Sequence, residues 1–352
     1  MMGVKWQYRP RTTRSLAIAT ARRDSSSALS PVVAIERLRM AHDTYHHPVL
    51  TSEIVELFTH LPAGVVVDAT LGGGGHARAL LSEARHLRVL GVDRDPEARD
   101  EARARLDSFG DRVRIAGGEF AYLEAVVREN DAFIRGAKVV GVLMDLGVSS
   151  HQLDDSSRGF SFRGDAPLDM RMDPTHGETA AEFLARVDRH ELASLLRDNG
   201  ENRFAGAIAR SLVERQPRTT FDLVDAVERA VPMAARRRGH VASRTFQALR
   251  IAVNDEVQQL RHGLSAALEV LSVGGIIAVI SYHSGEDRFV KGFFADQQSG
   301  GCHCPPALGC VCGATPRVSV FRASAQLASP EEVAINARSR SARLRVAQKV
   351  AP

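Results

Sequence analysis

One rhythm limits what this chain can fold into. Between residues 64 and 145, four short, valine-rich runs at 65–68, 89–93, 113–115 and 139–143 are separated by Ala-, Glu- and Arg-rich stretches with a helical period. Short, mostly apolar runs read as strands covered on both faces, and strands alternating with helices build a parallel sheet wrapped by right-handed crossovers. The rhythm stops near residue 151. From 151 to 243 the pattern predicts helices at 180–187, 190–197, 202–215 and 220–231 and no strand, which reads as an all-helical insertion. A single helix over 244–271 then leads into a buried strand at 275–281. The tail offers two last strands, at 318–322 and 344–347, as an antiparallel edge pair.

A chain of 352 residues has room for a full α/β domain and one smaller unit. No stretch approaches the roughly 18 uninterrupted apolar residues of a membrane span, so no membrane partner is expected. The 46 basic residues, 42 of them arginine, exceed the acidic ones by four. Arginine binds phosphate through two parallel hydrogen bonds and stacks on bases, so this bias suits an RNA partner; a GC-rich gene would produce it equally. All four cysteines lie between 302 and 312. No disulfide framework can hold the fold, and a reducing cytoplasm is the expected location. Residues 1–40 carry Arg9, Arg11, Arg14, Arg22 and Arg23 with almost no acid and read as a disordered basic extension, with Met40 as an alternative start.

The first strand runs into Asp68-Ala-Thr-Leu-Gly72-Gly-Gly74-Gly75-His76. Glycines let the backbone pass close to a ligand, and the following helix start presents free N–H groups to a carboxylate. A dinucleotide site needs a third glycine three positions after Gly74, where this chain has Ala77. An acid four residues before the first glycine is instead the S-adenosylmethionine variant of the loop. Asp93, ending the second strand, can accept from both ribose hydroxyls of either nucleoside cofactor, or cap the helix that begins near Pro96. Phe120, after the third strand, either covers an adenine face or fills the core.

With Gly72 to His76, Asp145-Leu-Gly-Val-Ser-Ser150 and Gln152-Leu-Asp154-Asp155 in view, the chain closely resembles the MraW/RsmH family, the bacterial 16S ribosomal RNA (cytosine-N4) methyltransferases. The resemblance runs from His47-Pro-Val-Leu50 to Asn336-Ala-Arg338-Ser-Arg340-Ser-Ala-Arg-Leu-Arg345. Its most specific blocks are Arg158-Gly-Phe-Ser-Phe162, Pro167-Leu-Asp-Met-Arg-Met-Asp173, Arg244-Thr-Phe-Gln-Ala-Leu-Arg250 with Asn254, and Tyr282-His-Ser-Gly-Glu-Asp-Arg288. It implies a Rossmann-like class I methyltransferase sheet at 41–150 and 244–352, interrupted by a helical substrate-recognition domain at 151–243. The cofactor implied is S-adenosylmethionine, held by Gly74, Gly75, His76, Asp93, Phe120, Asp145 and Gln152. The implied substrate is the exocyclic N4 amine of a cytidine near the decoding centre, in 16S rRNA within the small ribosomal subunit. The oligomeric state stays open, a dimer among the options. The family usually has Phe and Leu where this chain has Tyr282 and Gly285, and the extension before Met40 lies outside its pattern.

Methyl transfer to an amine is chiefly a matter of alignment. The cytosine amine delocalises its lone pair into the ring, and a group accepting its N–H would localise it. Asp145, or a backbone carbonyl within 145–148, is the candidate acceptor. His283 and Ser284, ending the fifth strand, are expected to face the same crevice and orient the base, although His283 suits a core role equally well. Asp169, Arg171 and Asp173 alternate with Leu168, Met170 and Met172 as an extended segment with one polar face. Arg236 to Arg238 with Gly239-His240 forms a basic run suited to phosphates or to a plain solvated loop. Base pairing would hide the amine, so an unpaired or flipped cytosine is required. Cys302, Cys304, Cys310 and Cys312 form a compact C-x-C pair of pairs with the donors for structural zinc, while the catalytic site itself needs no metal. Three other readings fit less well. A DNA amino methyltransferase lacks its Asp/Asn-Pro-Pro-aromatic block here, a non-catalytic RNA-binding assembly factor has no use for the pocket residues, and a nicotinamide oxidoreductase fails on glycine spacing.

Overall fold

The computed structural model describes residues 48–236, 241–302, 304–305 and 311–352. The basic extension with Met40, His47, residues 237–240 and Cys310, named above, lie outside the described residues.

Helix α1 (Thr51–Thr59) precedes the alternating unit: β1 (Gly64–Asp68), α2 (Gly75–Glu83), β2 (Leu87–Asp93), α3 (Pro96–Leu106), β3 (Val113–Gly117), α4 (Leu123–Glu129) and β4 (Val139–Asp145). These strands are parallel. The sheet continues through β5 (Ile276–Ser281), parallel to β4, and is completed by β6 (Val318–Val320), β7 (Gln326–Leu327) and β8 (Arg343–Lys349). The order is β3-β2-β1-β4-β5-β8-β6, with β7 on β8. The two tail strands do pair antiparallel, Val318 opposite Lys349. Of that pair, β6 alone lies at an edge of the described sheet, because β8 also lies antiparallel against β5.

Burial explains the valine-rich runs. Every residue of β1 is buried. Its Val65 and Val67 join a core with Leu260, Leu264 and Ala267 on one face, while Val66 packs with Ile54 and Phe58 of α1 on the other. A strand sandwiched in this way needs apolar residues at consecutive positions, not at alternate ones.

After β4 comes α5 (Ser150–Asp154), then α6 (Ala180–Arg186), α7 (Arg189–Asp198), α8 (Ala205–Arg215) and α9 (Thr220–Ala230). Thr179, Asp188 and Thr219 cap three of these helices through side-chain oxygens. The helices surround a separate apolar core that includes Leu184, Leu196, Ile208, Leu212 and Leu223, together with Leu168, Met170 and Met172 from the extended segment. On that segment's polar side, both carboxylate oxygens of Asp169 accept from Arg171 at 2.8 Å.

The single helix expected over 244–271 is two, α10 (Val241–Val253) and α11 (Glu256–Val270). Phe246, Ala248 and Leu249 of α10 pack in the helical core, whereas Leu260, Leu264 and Ala267 of α11 pack under the sheet. The chain changes cores at the junction, where Asp255 takes a left-handed conformation (φ 48). The Asn254 side chain ties that junction to the extended segment, donating to Met170 O at 2.7 Å and accepting from Met172 N at 2.8 Å. Sheet rhythm resumes at β5, followed by α12 (Ser284–Ser299).

Candidate active site

Strand order reverses between β1 and β4, and in open parallel sheets the crevice at such a switch point, at the carboxyl ends of the strands, is where ligands bind. Asp68, Asp93 and Asp145 end β1, β2 and β4 there. The loop after β1 is fastened on both sides. Asp145 N donates to Thr70 Oγ1 at 2.6 Å, and Gly72 N donates to Asp93 Oδ2 at 2.8 Å. Gly72 (φ 51) and Gly74 (φ 79) supply the left-handed turns that aim the chain into α2, whose cap is Gly74 and whose first residues are Gly75 and His76.

Four polar side chains converge behind this loop. Asp68 is 1% exposed, and its Oδ2 has no hydrogen-bond partner among the described residues. Burial pushes its carboxyl up to about 7, helped by Asp145 and Asp93 and opposed by His76. The buried His76 ring stands with Nε2 3.4 Å from Asp145 Oδ2, an ionic contact longer than an aligned hydrogen bond. Burial disfavours its charged form, but the Asp145 and Asp68 carboxylates outweigh this and hold the imidazole above its ordinary value. Tyr282 donates its hydroxyl to Asp145 Oδ1 at 2.8 Å. Burial and the adjacent Asp145 charge push that phenol well up. Asp145 is thereby hydrogen-bonded at Oδ1 and in ionic contact at Oδ2, while its side chain stays 24% exposed.

The other expected site residues are placed differently. His283 caps α12 and is locked against Glu286: its Nδ1 accepts from Glu286 N at 3.4 Å, and its Nε2 lies 3.1 Å from Glu286 Oε1. That is a helix-capping environment. Ser284 is the exposed first residue of the same helix. Phe120 is half-buried in the notch left by Gly263 of α11, where a Cβ would lie 2.2 Å from its ring. Gln152 is 5% exposed, and both ends of its amide are engaged inside the protein. Its Oε1 accepts from Ser149 N at 2.9 Å, and its Nε2 donates to Asp95 Oδ2 at 2.8 Å.

Asp95, not Asp93, is the cap of the helix starting at Pro96, accepting from Glu97 N at 3.0 Å. Asp93 is left to receive Asp95 N (2.9 Å) and Gly72 N. Fully buried Asp95 also binds Arg158 Nη1 at 3.0 Å. Arg158 in turn reaches Glu97 Oε2 at 2.8 Å and the carbonyls of Arg171 and Met172 at 3.2 and 3.0 Å. Sequence reasoning quoted Arg158 without a role and passed over Asp95. An acid directly before a proline was the available signal for the cap, whereas a partner 63 residues away left none.

The protein is a methyltransferase that uses S-adenosylmethionine, and the switch-point crevice with its glycine loop is the candidate place for that cofactor. The chain belongs to the MraW methylase family, whose profile matches residues 43–350. A ribosomal RNA small subunit methyltransferase H from Heliobacterium modesticaldum is 48% identical over 87% of this chain and 99% of its own length. Proteins of the same name from Heliobacterium mobile and Geobacter sulfurreducens are each 46% identical, with 87% and 99% covered. Among the described residues no helix is long and apolar enough to cross a membrane.

Proposed function

We propose that the protein methylates the exocyclic N4 amine of a cytidine in 16S rRNA of the small ribosomal subunit, acting in the cytoplasm. The observation that carries this reading is the Asp145 carboxylate, fixed by Tyr282 and His76 at the end of β4 yet partly open to the crevice. It offers an acceptor for one N–H of the amine, which draws the nitrogen lone pair out of the ring. The names of the relatives supply the RNA and the subunit.

The residues present fit the cofactor. It carries two cationic centres, and the buried Asp68 oxygen lacking a donor is suited to meet one of them; leaving such an atom unpaired costs roughly 1–3 kcal/mol. Gly74, Gly75 and His76 at the start of α2 would receive the carboxylate, Asp93 the ribose hydroxyls, and Phe120 the adenine. Gln152 would act at the cofactor through Asp95 and Asp93. When bound, S-adenosylmethionine supplies an electrophilic methyl group. The protein's own task is to hold the acceptor amine in line, worth roughly 7–11 kcal/mol for well-aligned partners. His283 and Ser284 would border the base, His283 from its capping position. The helical insertion, with Arg236 at its far end, would take the RNA. Mass spectrometry of 16S rRNA from cells with and without the gene tests the proposal: loss of one N4-methylcytidine is expected, and unchanged rRNA would overturn it.

Asp68 makes cofactor binding pH-dependent. A cationic group beside it favours the carboxylate, so below about 7 binding must expel a proton. Affinity for S-adenosylhomocysteine, which keeps the ammonium, is expected to rise by up to about tenfold per pH unit toward pH 7 and then level off. For the ligand-free fold the sign is set by the raised value: the contribution of Asp68 to stability is fully present below the unfolded value of 3.8 and is lost as pH rises to about 7. Calorimetric titration at several pH values should show the rise, and Asp68→Asn should flatten it; an equal slope in the variant would exclude Asp68.

A further inference from the structure

The chain's thiols sit in one loop, between α12 and β6, that the methylation chemistry does not use. Both ends of the loop are pinned at the end of α12. Gly300, in a left-handed conformation (φ 64), presses on the Thr315 backbone, where a Cβ would lie 2.5 Å from the Thr315 oxygen. Gly301 N donates to Asp296 O at 3.0 Å and Cys302 N to Ser299 O at 3.3 Å; on the return, Arg317 N donates to Gln297 O at 2.9 Å. The outgoing and returning segments are thus held side by side. The Sγ atoms of Cys302, Cys304 and Cys312 all lie within 4.8 Å of one another.

We propose that these three thiolates bind a structural zinc ion that closes the loop, the fourth tetrahedral position falling to a further donor or to water. Burial does not account for the grouping, because Cys302 and Cys304 are only half-buried and Cys312 is exposed. Tetrahedral zinc with Zn–S near 2.3 Å places sulfurs about 3.8 Å apart, so the group needs to contract by only about 1 Å, a matter of side-chain rotation. A disulfide would join two of the sulfurs at about 2 Å and strand the third. Thiolate ligands select zinc over the oxygen-seeking magnesium and calcium. The sequence also carries Cys310, outside the described residues; the site stands on the three described thiols. α12 has 16 residues and so spans about 24 Å. Its first turn adjoins Tyr282 and the cysteine loop lies beyond its other end, so the ion is structural and takes no part in methyl transfer.

The test uses full-length protein purified under reducing conditions without a metal-affinity tag. Elemental analysis is expected to give close to one zinc per chain, and cobalt substitution a thiolate-to-cobalt charge-transfer band. The double variant Cys304→Ser with Cys312→Ser should lose both signals while keeping its methylation rate at low temperature. If that variant does not fold, the cobalt spectrum of the unaltered protein decides alone. Folded, fully reduced protein that holds no metal after dialysis against zinc would overturn the site, as would a disulfide between any two of these cysteines.

Discussion

Replacing Asp145 with alanine is expected to slow single-turnover methyl transfer by about 10²-fold or more, the usual scale for losing a positioned proton acceptor. The carboxylate stands where β4 ends, tied through its own N–H to Thr70 of the glycine loop and through its oxygens to Tyr282 and His76. One residue therefore couples loop, sheet and acceptor. Tyr282→Phe separates these duties, since it removes the hydroxyl and keeps the carboxylate. A lost hydrogen bond to a charged group is worth roughly 1.5–3 kcal/mol, and a carboxylate retains other lone pairs for the amine. The phenylalanine variant is accordingly expected to stay within about tenfold to a hundredfold of the unaltered rate, with cofactor affinity preserved. Rapid-quench measurement of methyl transfer, with S-adenosylhomocysteine affinity measured beside it, distinguishes the two. Full activity of Asp145→Ala at normal affinity would remove Asp145 from the reaction.

The sheet was legible because its strands are buried on both faces, which concentrates Val, Leu and Ile at consecutive positions and gives a signal independent of tertiary detail. The glycine loop was legible for a related reason: left-handed turns at Gly72 and Gly74 admit few other residues. The break between α10 and α11 was not. Both helices keep an apolar helical period, and the change at Asn254 is one of packing partner, from Leu249 under the helical insertion to Leu260 under the sheet. Periodicity records that a face is buried, not against what. The candidate side chains divide in the same way. Asp68, Asp93 and Asp145 were found from their place at strand ends. The Tyr282 hydroxyl on Asp145 crosses 137 positions of sequence and needed the fold to be seen. For His283 the structure adds a role that the sequence did not offer, because its ring caps α12 against Glu286.

The largest loss of stability is expected from Arg158→Met. Arg158 is 6% exposed and Asp95 fully buried, and the guanidinium also serves Glu97 and two backbone carbonyls. Methionine replaces the aliphatic stem of the side chain and supplies none of the donors, so Asp95 is left without its cationic partner in a buried site. Removing one partner of a buried ion pair typically costs about 3–5 kcal/mol, much of it the penalty for the charge left behind. The effect should reach the cofactor crevice, because Asp95 N holds Asp93 Oδ1 and Gln152 holds Asp95 Oδ2. Urea unfolding is expected to show the loss of stability, and calorimetry a weaker affinity for S-adenosylhomocysteine. Adding Asp95→Asn removes the stranded charge while retaining a helix-capping side chain, and should recover part of the lost stability. A single variant within about 1 kcal/mol of the unaltered protein, with unchanged affinity, would mean that the helical insertion and the cofactor strand are joined by apolar packing and not by this buried pair.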